Sequence, residues 1–519
     1  MLVIASKKKL VLKLKDHNRI TTVIPTARTF QFKGETLVAI PHKADETKVL
    51  RNMGFDAPSP AGYYYNWPGM YKPFHAQRAT VDFLTMNDRA FCLNGMGSGK
   101  TMSTLWAFDY LKSIGKATRL LISAPLSTLE RTWADETFKH FPHLEFTVLH
   151  GSRDKRLKLL EQKADVYIVN HHGMKIIADG LKDRTDIDLV VIDEVAQAGR
   201  NASTDIWKAH NAVCNRQTAR QVWGLTGTPT PNAPTDAWAQ CRMVNPITVP
   251  PYFNRFKDTV MKQAGPFTWL PRANATETVK EVMQPAIRFA LEDCVDLPDC
   301  VYVTRTVELT NDQKDAYKSM MTKLKLEAES GEVLAVNEAV KASKLVQIAC
   351  GVVYDVKGEE VIIGAQPRLE SVLEVIEEAG TKTIVFVPFV SAVPYVTDFL
   401  RTHGVTVECI HGGVSANARN TILSSFQKTA DPKVLVAIPS TMSHGLNLNA
   451  ASTIVWFAPI TSNDVYVQAC ARVRRPGQKH AQLIVNIEGS PVERKMYERL
   501  QHKEKMQGVL LDLVRGGTT

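Results

Sequence analysis

The sequence contains few cysteines, and no two of them are spaced as a CxxC pair. Eight of the 519 residues are cysteine, and the two nearest in sequence are Cys294 and Cys300. Structural zinc sites usually take two ligands from one tight turn, so this spacing argues against a structural zinc site. Scattered single cysteines are typical of small buried thiols in a reducing cytosol.

The sequence also lacks a membrane-spanning segment, a signal-peptide pattern, short-period repeats and low-complexity tracts. Its most apolar run, residues 383–396, is too short to cross a bilayer and contains two prolines. At the N-terminus the basic residues follow the apolar ones, which is the reverse of the order in a signal peptide. We therefore expect a soluble, cytoplasmic protein that does not associate with membranes.

The composition is that of an ordinary globular protein with a surplus of positive charge. With 44% hydrophobic residues, the chain has enough apolar material for real cores. Its length allows roughly three to four domains of ~150 residues each. The net charge of +10 suits a polyanionic partner, but many basic proteins bind no nucleic acid, so this indication is weak by itself.

Apolar runs of strand length alternate with helical patterns in two separate parts of the chain. The first part contains such runs at 90–95, 119–125, 165–170, 189–194 and 222–228. The second part contains them at 383–389, 405–412, 433–440, 452–459 and 481–487. Continuous apolar strands between amphipathic helices indicate parallel sheets with both faces covered, so we predict an α/β fold with two such domains in tandem.

The residues before the first part form a small unit of their own, in which residues 30–40 are typical of strand, turn and strand. The residues between the two parts are irregular at first and then helical. The predicted domains are an accessory N-terminal domain over 1–68, a first α/β domain over 69–245, a helical insertion and link over 246–300, and a second α/β domain over 301–519.

Two features of the N-terminal segment each have two interpretations. Its lysines either contact DNA or line a solvated strand face. They are Lys7, Lys8, Lys9, Lys13 and Lys15. Its aromatic residues either stack on bases or form a docking core, and docking is the commoner case. They are Tyr63, Tyr64, Tyr65 and Trp67.

The segment GMGSGKT, residues 95–101, follows a predicted strand and precedes a predicted helix. In that setting glycines let backbone N–H groups surround phosphate oxygens, and the helix N-terminus favours negative charge. Lys100 would reach the β and γ phosphates, and the hydroxyl of Thr101 would bind Mg²⁺. The usual pattern has glycine at position 94, where this chain has Asn94. We predict an ATP site whose phosphate contacts come from Gly95, Met96, Gly97, Ser98, Gly99, Lys100 and Thr101.

An apolar strand that ends in two carboxylates supplies the second half of this site. In VVIDE, residues 190–194, Asp193 and Glu194 fall at the carboxyl edge of the predicted sheet, beside the phosphate loop. Asp193 would hold Mg²⁺, and Glu194 would orient and deprotonate the attacking water. A strand ending in Asp-Glu is common, and it becomes a strong signal because a GKT loop precedes it in the same domain.

A basic segment in the second part, QACARVRRPGQ at 468–478, offers positive charge for hydrolysis. Arg472 and Arg475 would share one face if the segment is helical. A guanidinium delivered across a cleft accelerates phosphoryl transfer by roughly 10³–10⁵ and makes hydrolysis depend on domain closure. The alternative interpretation is a basic patch at a helix end.

Together these segments resemble the Swi/Snf-like branch of helicase superfamily 2, from about residue 71 to 490. GMGSGKT resembles motif I of that family, VVIDEVAQAGRN motif II, LTGTPTPN motif III and QACARVRRPGQ motif VI. The Arg-x-Gly-Gln ending favours this branch over other helicases of the superfamily. Further matches are the Q motif at 71–84, motif Ia at 121–136, the link into the second lobe at 292–317, the segment after motif IV at 410–427 and motif V at 444–459.

The resemblance implies two RecA-like domains, ATP and Mg²⁺ as ligands, and a motor that functions as a monomer. It implicates Gln77 in adenine reading and Gln468 in ATP binding. It also implies that small polar residues hold the DNA backbone without reading sequence. These are Ser123, Ser127, Thr226, Thr228, Ser440 and Thr441. We expect a DNA-dependent ATPase that remodels duplex or branched DNA. The alternatives are an RNA helicase, the motor subunit of a restriction or defence complex, and a non-catalytic scaffold.

The chain departs from the family pattern at three positions. Motif II usually has His at its fourth position, where this chain has Ala196 with Gln197 beside it. Because that histidine couples hydrolysis to motif III, the usual contact is not expected, and Gln197 is a candidate substitute. Motif VI has Ala471 in place of Asp, and motif V has His444 in place of Gly. No catalytic group is lost, and the departures indicate a divergent member from a virus or mobile element, located inside the host cell.

Overall fold

The computed structural model describes residues 1–265, 269–294, 296–329, 335–354, 359–442, 448–475 and 477–500. The chain divides into two compact units. The first comprises Met1–Cys294, and the second comprises the described residues from 296 to 500. Within these ranges every helix is too short or too polar to span a bilayer.

The first unit begins with a small antiparallel sheet of spatial order β1-β2-β4-β3. Its strands are β1 (Leu2–Ile4), β2 (Lys9–Lys13), β3 (Arg28–Phe32) and β4 (Glu35–Pro41). The predicted strand, turn and strand over 30–40 is confirmed, because Lys33 and Gly34 have positive φ angles of 48° and 78°, the conformation of a tight hairpin turn. Two helices, α1 (Asn18–Thr21) and α2 (Ala44–Asn52), cover one face of this sheet.

A parallel sheet of seven strands forms the centre of the first unit, with the order β13-β5-β10-β9-β6-β8-β7. Its strands are β5 (Arg89–Cys92), β6 (Leu120–Ala124), β7 (Phe146–Val148), β8 (Val166–Asn170), β9 (Leu189–Asp193), β10 (Gln221–Leu225) and β13 (Ala286–Ile287). Every residue of β6, β8, β9 and β10 is buried, because hydrophobic clusters cover both faces. The predicted α/β class is therefore confirmed for this unit.

Helices and one hairpin complete the first unit. The helices before β9 are α3 (Ala61–Tyr64), α4 (His75–Met86), α5 (Lys100–Ser113), α6 (Asp135–His140), α7 (Arg153–Glu161) and α8 (His171–Ile177). Those after it are α9 (Val195–Ala198), α10 (Asp205–Cys214), α11 (Asp236–Val244), α12 (Phe253–Val260) and α13 (Ala275–Val282). The hairpin consists of β11 (Met261–Gln263) and β12 (Trp269–Pro271).

The aromatic segment before α4 joins the small sheet to the parallel sheet. The Tyr65 hydroxyl donates to Asp109 Oδ2 of α5 at 2.6 Å, and Tyr64 Oη lies 2.9 Å from His42 Nδ1. The Trp67 ring contacts the Trp106 ring edge-on at 5.7 Å. These contacts support the docking interpretation of the aromatic cluster over base stacking.

The second unit contains a parallel sheet of six strands with the order β14-β21-β20-β17-β19-β18. Its strands are β14 (Cys300–Thr306), β17 (Lys382–Phe386), β18 (Val407–Ile410), β19 (Val434–Ala437), β20 (Ala451–Trp456) and β21 (Gln482–Glu488). Its other elements are α14 (Asn311–Glu329), α15 (Ala335–Ala349), the hairpin β15 (Val352–Tyr354) and β16 (Glu360–Ile362), α16 (Gln366–Glu378), α17 (Ala392–Thr402), α18 (Ala416–Lys428) and α19 (Asn463–Cys470). The second predicted α/β domain is thus also confirmed.

Candidate nucleotide-binding site

The loop between β5 and α5 has the backbone of a phosphate cradle. Gly97 and Gly99 both have φ of +80°, a conformation that residues with a Cβ rarely adopt. α5 begins directly after Gly99, so its first N–H groups are at the end of this loop. Lys100 Nζ donates to the carbonyl oxygens of Asn94 at 3.0 Å and Gly95 at 3.2 Å. The ammonium group therefore lies over the loop that the sequence predicts to bind phosphate.

Asn94, which replaces the usual glycine, fixes this loop to two other elements. Its Nδ2 donates to Thr80 Oγ1 of α4 at 2.8 Å, and its Oδ1 accepts from the backbone N–H of Phe289 at 2.9 Å. Asn94 is buried, and the adjacent Gly95 N–H donates to the Phe289 carbonyl at 2.8 Å. A glycine at this position would provide neither side-chain bond, so the departure from the pattern stabilises the loop.

Gln77 lies against the same loop from the start of α4. Its Oε1 accepts from the Phe74 backbone N–H at 2.9 Å. A Cβ added to Gly99 would be 2.1 Å from Gln77 Nε2, so the amide group and the Gly99 backbone are in close contact. The structure thus brings the residue implicated in adenine reading next to the predicted phosphate loop.

Asp193, at the end of β9, is a buried carboxylate with few partners. Its Oδ2 accepts from Trp133 Nε1 at 2.9 Å, and its Oδ1 accepts from the Glu194 N–H at 3.1 Å. Burial raises the pKa of Asp193, while the bond from Trp133 and the charge of Lys100 oppose that rise. Trp133 belongs to a π-helical turn, Leu129–Ala134, a distortion that is frequent at functional sites.

Glu194 is held in a left-handed backbone conformation, with φ of 49° and ψ of 53°. This conformation costs a residue with a Cβ roughly 1–2 kcal/mol, and such residues cluster at active sites. Among the described residues no group of three or more His, Cys, Asp or Glu side chains could hold a metal ion by itself. A magnesium ion here would need oxygen ligands from a nucleotide and water besides those from the protein, as Mg²⁺ usually does.

The predicted motif III residues also lie beside the phosphate loop. Thr226 is buried, its N–H donates to the Cys92 carbonyl at 3.1 Å, and its Oγ1 accepts from the Thr228 N–H at 3.1 Å. A Cβ added to Gly227 would be 3.4 Å from Met96 Cγ. Both threonines are therefore buried next to the nucleotide loop, and their contact with DNA stays a prediction.

The two predicted DNA contacts of motif Ia differ in exposure. Ser123 is buried, and its hydroxyl lies 2.9 Å from His171 Nδ1 and 2.7 Å from His210 Nε2. Burial lowers the pKa of His210 to about 4, so this ring is neutral at physiological pH. Ser127, in contrast, is exposed in a short 3₁₀ turn.

Gln240 of α11 is a residue that the sequence analysis missed. Its side chain is wholly buried, and its Nε2 donates to the carbonyls of Pro229 at 2.5 Å and Asp236 at 3.0 Å. A Cβ added to Gly199, directly after α9, would be 2.7 Å from Gln240 Cγ. Gln240 thus contacts both the motif II helix and the motif III segment in a chain that has Ala196 in place of the usual histidine. No local pattern around Gln240 signals this contact.

The arginine segment of the second unit has a different local structure from the one predicted. α19 ends at Cys470, so Arg472 and Arg475 follow the helix in a turn rather than sharing a helix face. Gln478 holds this turn, since its buried Nε2 donates to the carbonyls of Val473 at 3.1 Å and Ala451 at 2.8 Å. The Gln that ends motif VI therefore ties this turn to β20.

Arg472 is buried, and Arg475 Nε donates to the Ala471 carbonyl at 3.3 Å. Burial lowers the pKa of Arg475 to about 10, so it still carries its charge at neutral pH. Gln468 is buried in α19.

The two predicted contacts ahead of motif V also belong to the second unit. Ser440 is exposed, whereas the Thr441 hydroxyl donates to the Ile438 carbonyl at 2.7 Å. His444, the motif V departure, lies outside the described residues.

Comparison with known families gives two matches that together cover most of the chain. Residues 77–350 match the SNF2-related domain, and residues 367–477 match the helicase conserved C-terminal domain.

Individual relatives are distant in sequence. Protein p41 of Acyrthosiphon pisum secondary endosymbiont phage 1 is 24% identical over 472 residues, which are 86% of this chain and 99% of the phage protein. An uncharacterized ATP-dependent helicase of Mycoplasma genitalium is 25% identical and aligns with 79% of this chain but 39% of its own length. The Sulfolobus solfataricus SWI2/SNF2 ATPase core, solved in complex with dsDNA, is 25% identical, with 87% of this chain and 94% of that chain covered and a TM-score of 0.42. The chain thus spans nearly the whole phage protein but less than half the length of the Mycoplasma helicase.

Proposed function

Since the chain belongs to the SNF2-related family and is an ATP hydrolase of helicase superfamily 2, we propose that it converts ATP hydrolysis into movement along duplex or branched DNA. The observation that carries the proposal is the cluster in the first unit. There the 95–101 loop, Lys100 and the Asp193-Glu194 strand end lie together, as ATP hydrolysis requires.

Each residue of this cluster has a distinct part in the proposed reaction. The loop N–H groups and Lys100 bind the phosphates, and Gln77 contacts the adenine. Glu194 orients the attacking water and takes its proton. Mg²⁺, when bound, neutralises charge on the phosphates, and Thr101 Oγ1 and Asp193 are the groups that would hold it. The burial of Asp193, whose pKa is raised, supports a cation at this position, since a nearby cation would favour its ionised form.

The second unit contributes the positive charge that completes hydrolysis. We infer that Arg472 and Arg475 stabilise the charge that develops on the transferred phosphate and that Gln468 contacts the nucleotide. Hydrolysis then depends on closure of the two units, and a chain that holds DNA with both of them steps along it as they close and open. One copy of the chain is sufficient for this cycle.

The formal net charge of +10 suits a polyanionic partner, and we propose DNA as that partner because the ending of motif VI resembles that of the Swi/Snf-like branch. The proposed backbone contacts are Ser123, Ser127, Thr226, Thr228, Ser440 and Thr441. Ser127 and Ser440 are exposed, which supports direct contact for these two. Contact through the buried members of the set requires a change of conformation on binding.

The test is the ATPase rate with blunt duplex, forked DNA, single-stranded DNA and duplex RNA, measured side by side at one salt concentration because backbone binding depends on salt. We expect duplex and forked DNA to raise kcat at least tenfold over the rate without nucleic acid. Stimulation by RNA alone would refute the DNA assignment. An equal rate in all conditions would refute a motor driven by nucleic acid.

A further inference from the structure

Positive charge is concentrated at the start of the chain. Residues 1–57 contain eleven Lys and Arg residues against five Asp and Glu residues. Six of the ten surplus positive charges therefore belong to about a ninth of the sequence. The small antiparallel sheet determines where these charges lie.

The register of that sheet separates its residues onto two faces. Leu10 and Leu12 pair with Ile40 and Val38, and all four are buried against the helices of this region. The residues between them point the other way, because successive side chains on a strand alternate. We call this second side the outer face. It carries Lys9, Lys13, Arg28, Phe30, Phe32 and Leu37, which the strand pairing aligns in adjacent rows.

Two aromatic rings are displayed on the outer face. Phe30 is 38% exposed and Phe32 is 56% exposed. They are two residues apart on β3, about 6.7 Å along the strand, and β3 is an edge strand that is open to approach from the side. Lys33 Nζ lies 5.6 Å from the centre of the Phe32 ring. Adjacent exposed rings on a sheet are the arrangement on which unpaired bases stack.

Cations share the outer face with these rings, Arg28 two residues before Phe30 on β3 and Lys9 two strands away, opposite Pro41. Lys13 pairs with Glu35, which is the one acidic residue on the outer face of the described strands. Within the described part of the chain, no ion pair joins Lys9 or Arg28 to an acidic residue. The Arg28 Nη1 donates to the carbonyls of Pro25 at 2.8 Å and Ala27 at 2.9 Å, which holds its guanidinium at the sheet edge. The net charge of this face is therefore positive.

We propose that the outer face binds single-stranded DNA, with bases stacked on Phe30 and Phe32 and phosphates held by Lys9 and Arg28. Paired bases in a duplex do not expose their faces for such stacking, so the rings favour a single strand. The cations favour a polyanion over an apolar protein surface. The proposal rests on the proposed function in one respect, namely that the nucleic acid is DNA. It gives the motor a second contact, suited to the single-stranded arm of a branched substrate.

The test uses the full chain without nucleotide and a fluorescent 20-mer of thymidine, with binding followed by anisotropy. Stacking is worth about 1–3 kcal/mol per base, so the double variant Phe30→Ala/Phe32→Ala should weaken binding at least tenfold. Binding of a blunt duplex and the ATPase rate without DNA should change less than twofold. Lys9→Glu should reduce the slope of log K against log salt by about one.

The matched control is Tyr252→Ala/Arg255→Glu, which removes another exposed ring and its neighbouring cation from the same unit. It should leave single-strand binding unchanged. Since Phe30 and Phe32 are exposed, their replacement should not alter the unfolding midpoint, and this is measured in parallel.

Three outcomes would overturn the proposal. The first is that the double phenylalanine variant binds the single strand as tightly as the wild type does. The second is that this variant loses duplex binding to the same extent as single-strand binding. The third is that uridine RNA binds the wild type as tightly as the thymidine strand does. If neither duplex nor forked DNA stimulates the ATPase while the double variant loses single-strand binding, the motor proposal fails and this one stands.

Discussion

Each unit of the protein has a buried carboxylate near the end of its parallel sheet, and the two carboxylates differ in how completely they are paired. Glu493 in the second unit receives a bond at each oxygen from Arg368 Nη2, at 2.8 and 3.0 Å, and further bonds from the Gly489 N–H and the Ser490 hydroxyl. Asp193 in the first unit receives one indole N–H and one backbone N–H.

The difference separates a carboxylate that holds the fold together from one that is a candidate for binding a ligand. Arg368 is buried with Glu493, and together they join α16 to the segment after β21. No such arginine neutralises Asp193 in the described part of the chain, and burial raises the pKa of Asp193. A buried acid with incomplete pairing next to a phosphate loop is a candidate functional group, whereas a fully paired one is structural.

The largest expected effect is on ATP turnover, which should depend on Asp193 and its neighbours. Asp193→Asn, Lys100→Ala and Glu194→Gln should each reduce ATP turnover to background, because they remove the groups proposed to hold Mg²⁺, to bind phosphate and to activate the attacking water, respectively. A coupled assay of phosphate release measures the turnover.

Asp193→Asn should also leave the protein at least as stable at neutral pH. Because the folded pKa of Asp193 is raised above the unfolded value, stability is lost as the pH rises from the unfolded pKa through the folded pKa, and asparagine removes this loss. Normal turnover in any of the three variants would contradict the site assignment.

The second prediction concerns Arg475, the arginine that we propose to act in hydrolysis. Arg475→Ala should bind ATP with wild-type affinity and hydrolyse it about 10³-fold more slowly, since the guanidinium acts in the transition state. Nucleotide binding by fluorescence and single-turnover hydrolysis separate the two steps. Arg401→Ala, a change at an exposed arginine of the same unit, is the control. An unchanged turnover number would remove the proposed role of Arg475.

The third prediction tests the structural role of the ion pair between Arg368 and Glu493. Glu493→Gln should lower the free energy of unfolding by about 3–5 kcal/mol, because it leaves Arg368 buried with an uncompensated charge. Urea unfolding measures the loss, and Glu377→Gln at an exposed position of α16 should cost almost nothing. If the two substitutions cost the same, the pair does not have the structural role assigned to it.

The smallest expected effect concerns the hydrogen bond that Trp133 donates to Asp193. Trp133→Phe removes the indole bond that favours the ionised carboxylate, so the pKa of Asp193 should rise further. The acid limb of the ATPase pH profile should then move to higher pH, with less than tenfold loss at neutral pH. Trp106→Phe loses a bond to the Pro68 carbonyl instead and should leave the profile in place. A profile that does not move in Trp133→Phe would show that this bond does not tune the carboxylate.

Most of the fold was predictable because it rests on continuous apolar strands. All ten predicted strand runs of the two sheets overlap an observed strand, with ends that differ by at most a few residues. β7, β13 and β14 were not predicted from the sequence. The first two have three and two residues, too few for a pattern, and β14 is an edge strand with mostly exposed residues that lacks a buried run.

Some residues of the candidate site could likewise be predicted from the sequence, and others could not. Residues of the phosphate loop and the carboxylate strand end were predictable, because a glycine-rich loop and the carboxyl edge of a parallel sheet are local patterns. The roles of Asn94, Gln240 and Gln478 were not, since each acts through bonds to residues far away in sequence.

By itself the sequence determined the class of fold, the two parallel sheets and the position of the candidate nucleotide loop, because these depend on residue patterns within one turn or one strand. Tertiary structure alone decided that Asn94 secures the loop, that Asp193 stays incompletely paired while Glu493 is saturated, and that Phe30 and Phe32 share the outer face with Lys9 and Arg28. Those outcomes depend on which distant groups meet in space, and hydrogen bonds between distant residues leave no periodic trace in the chain.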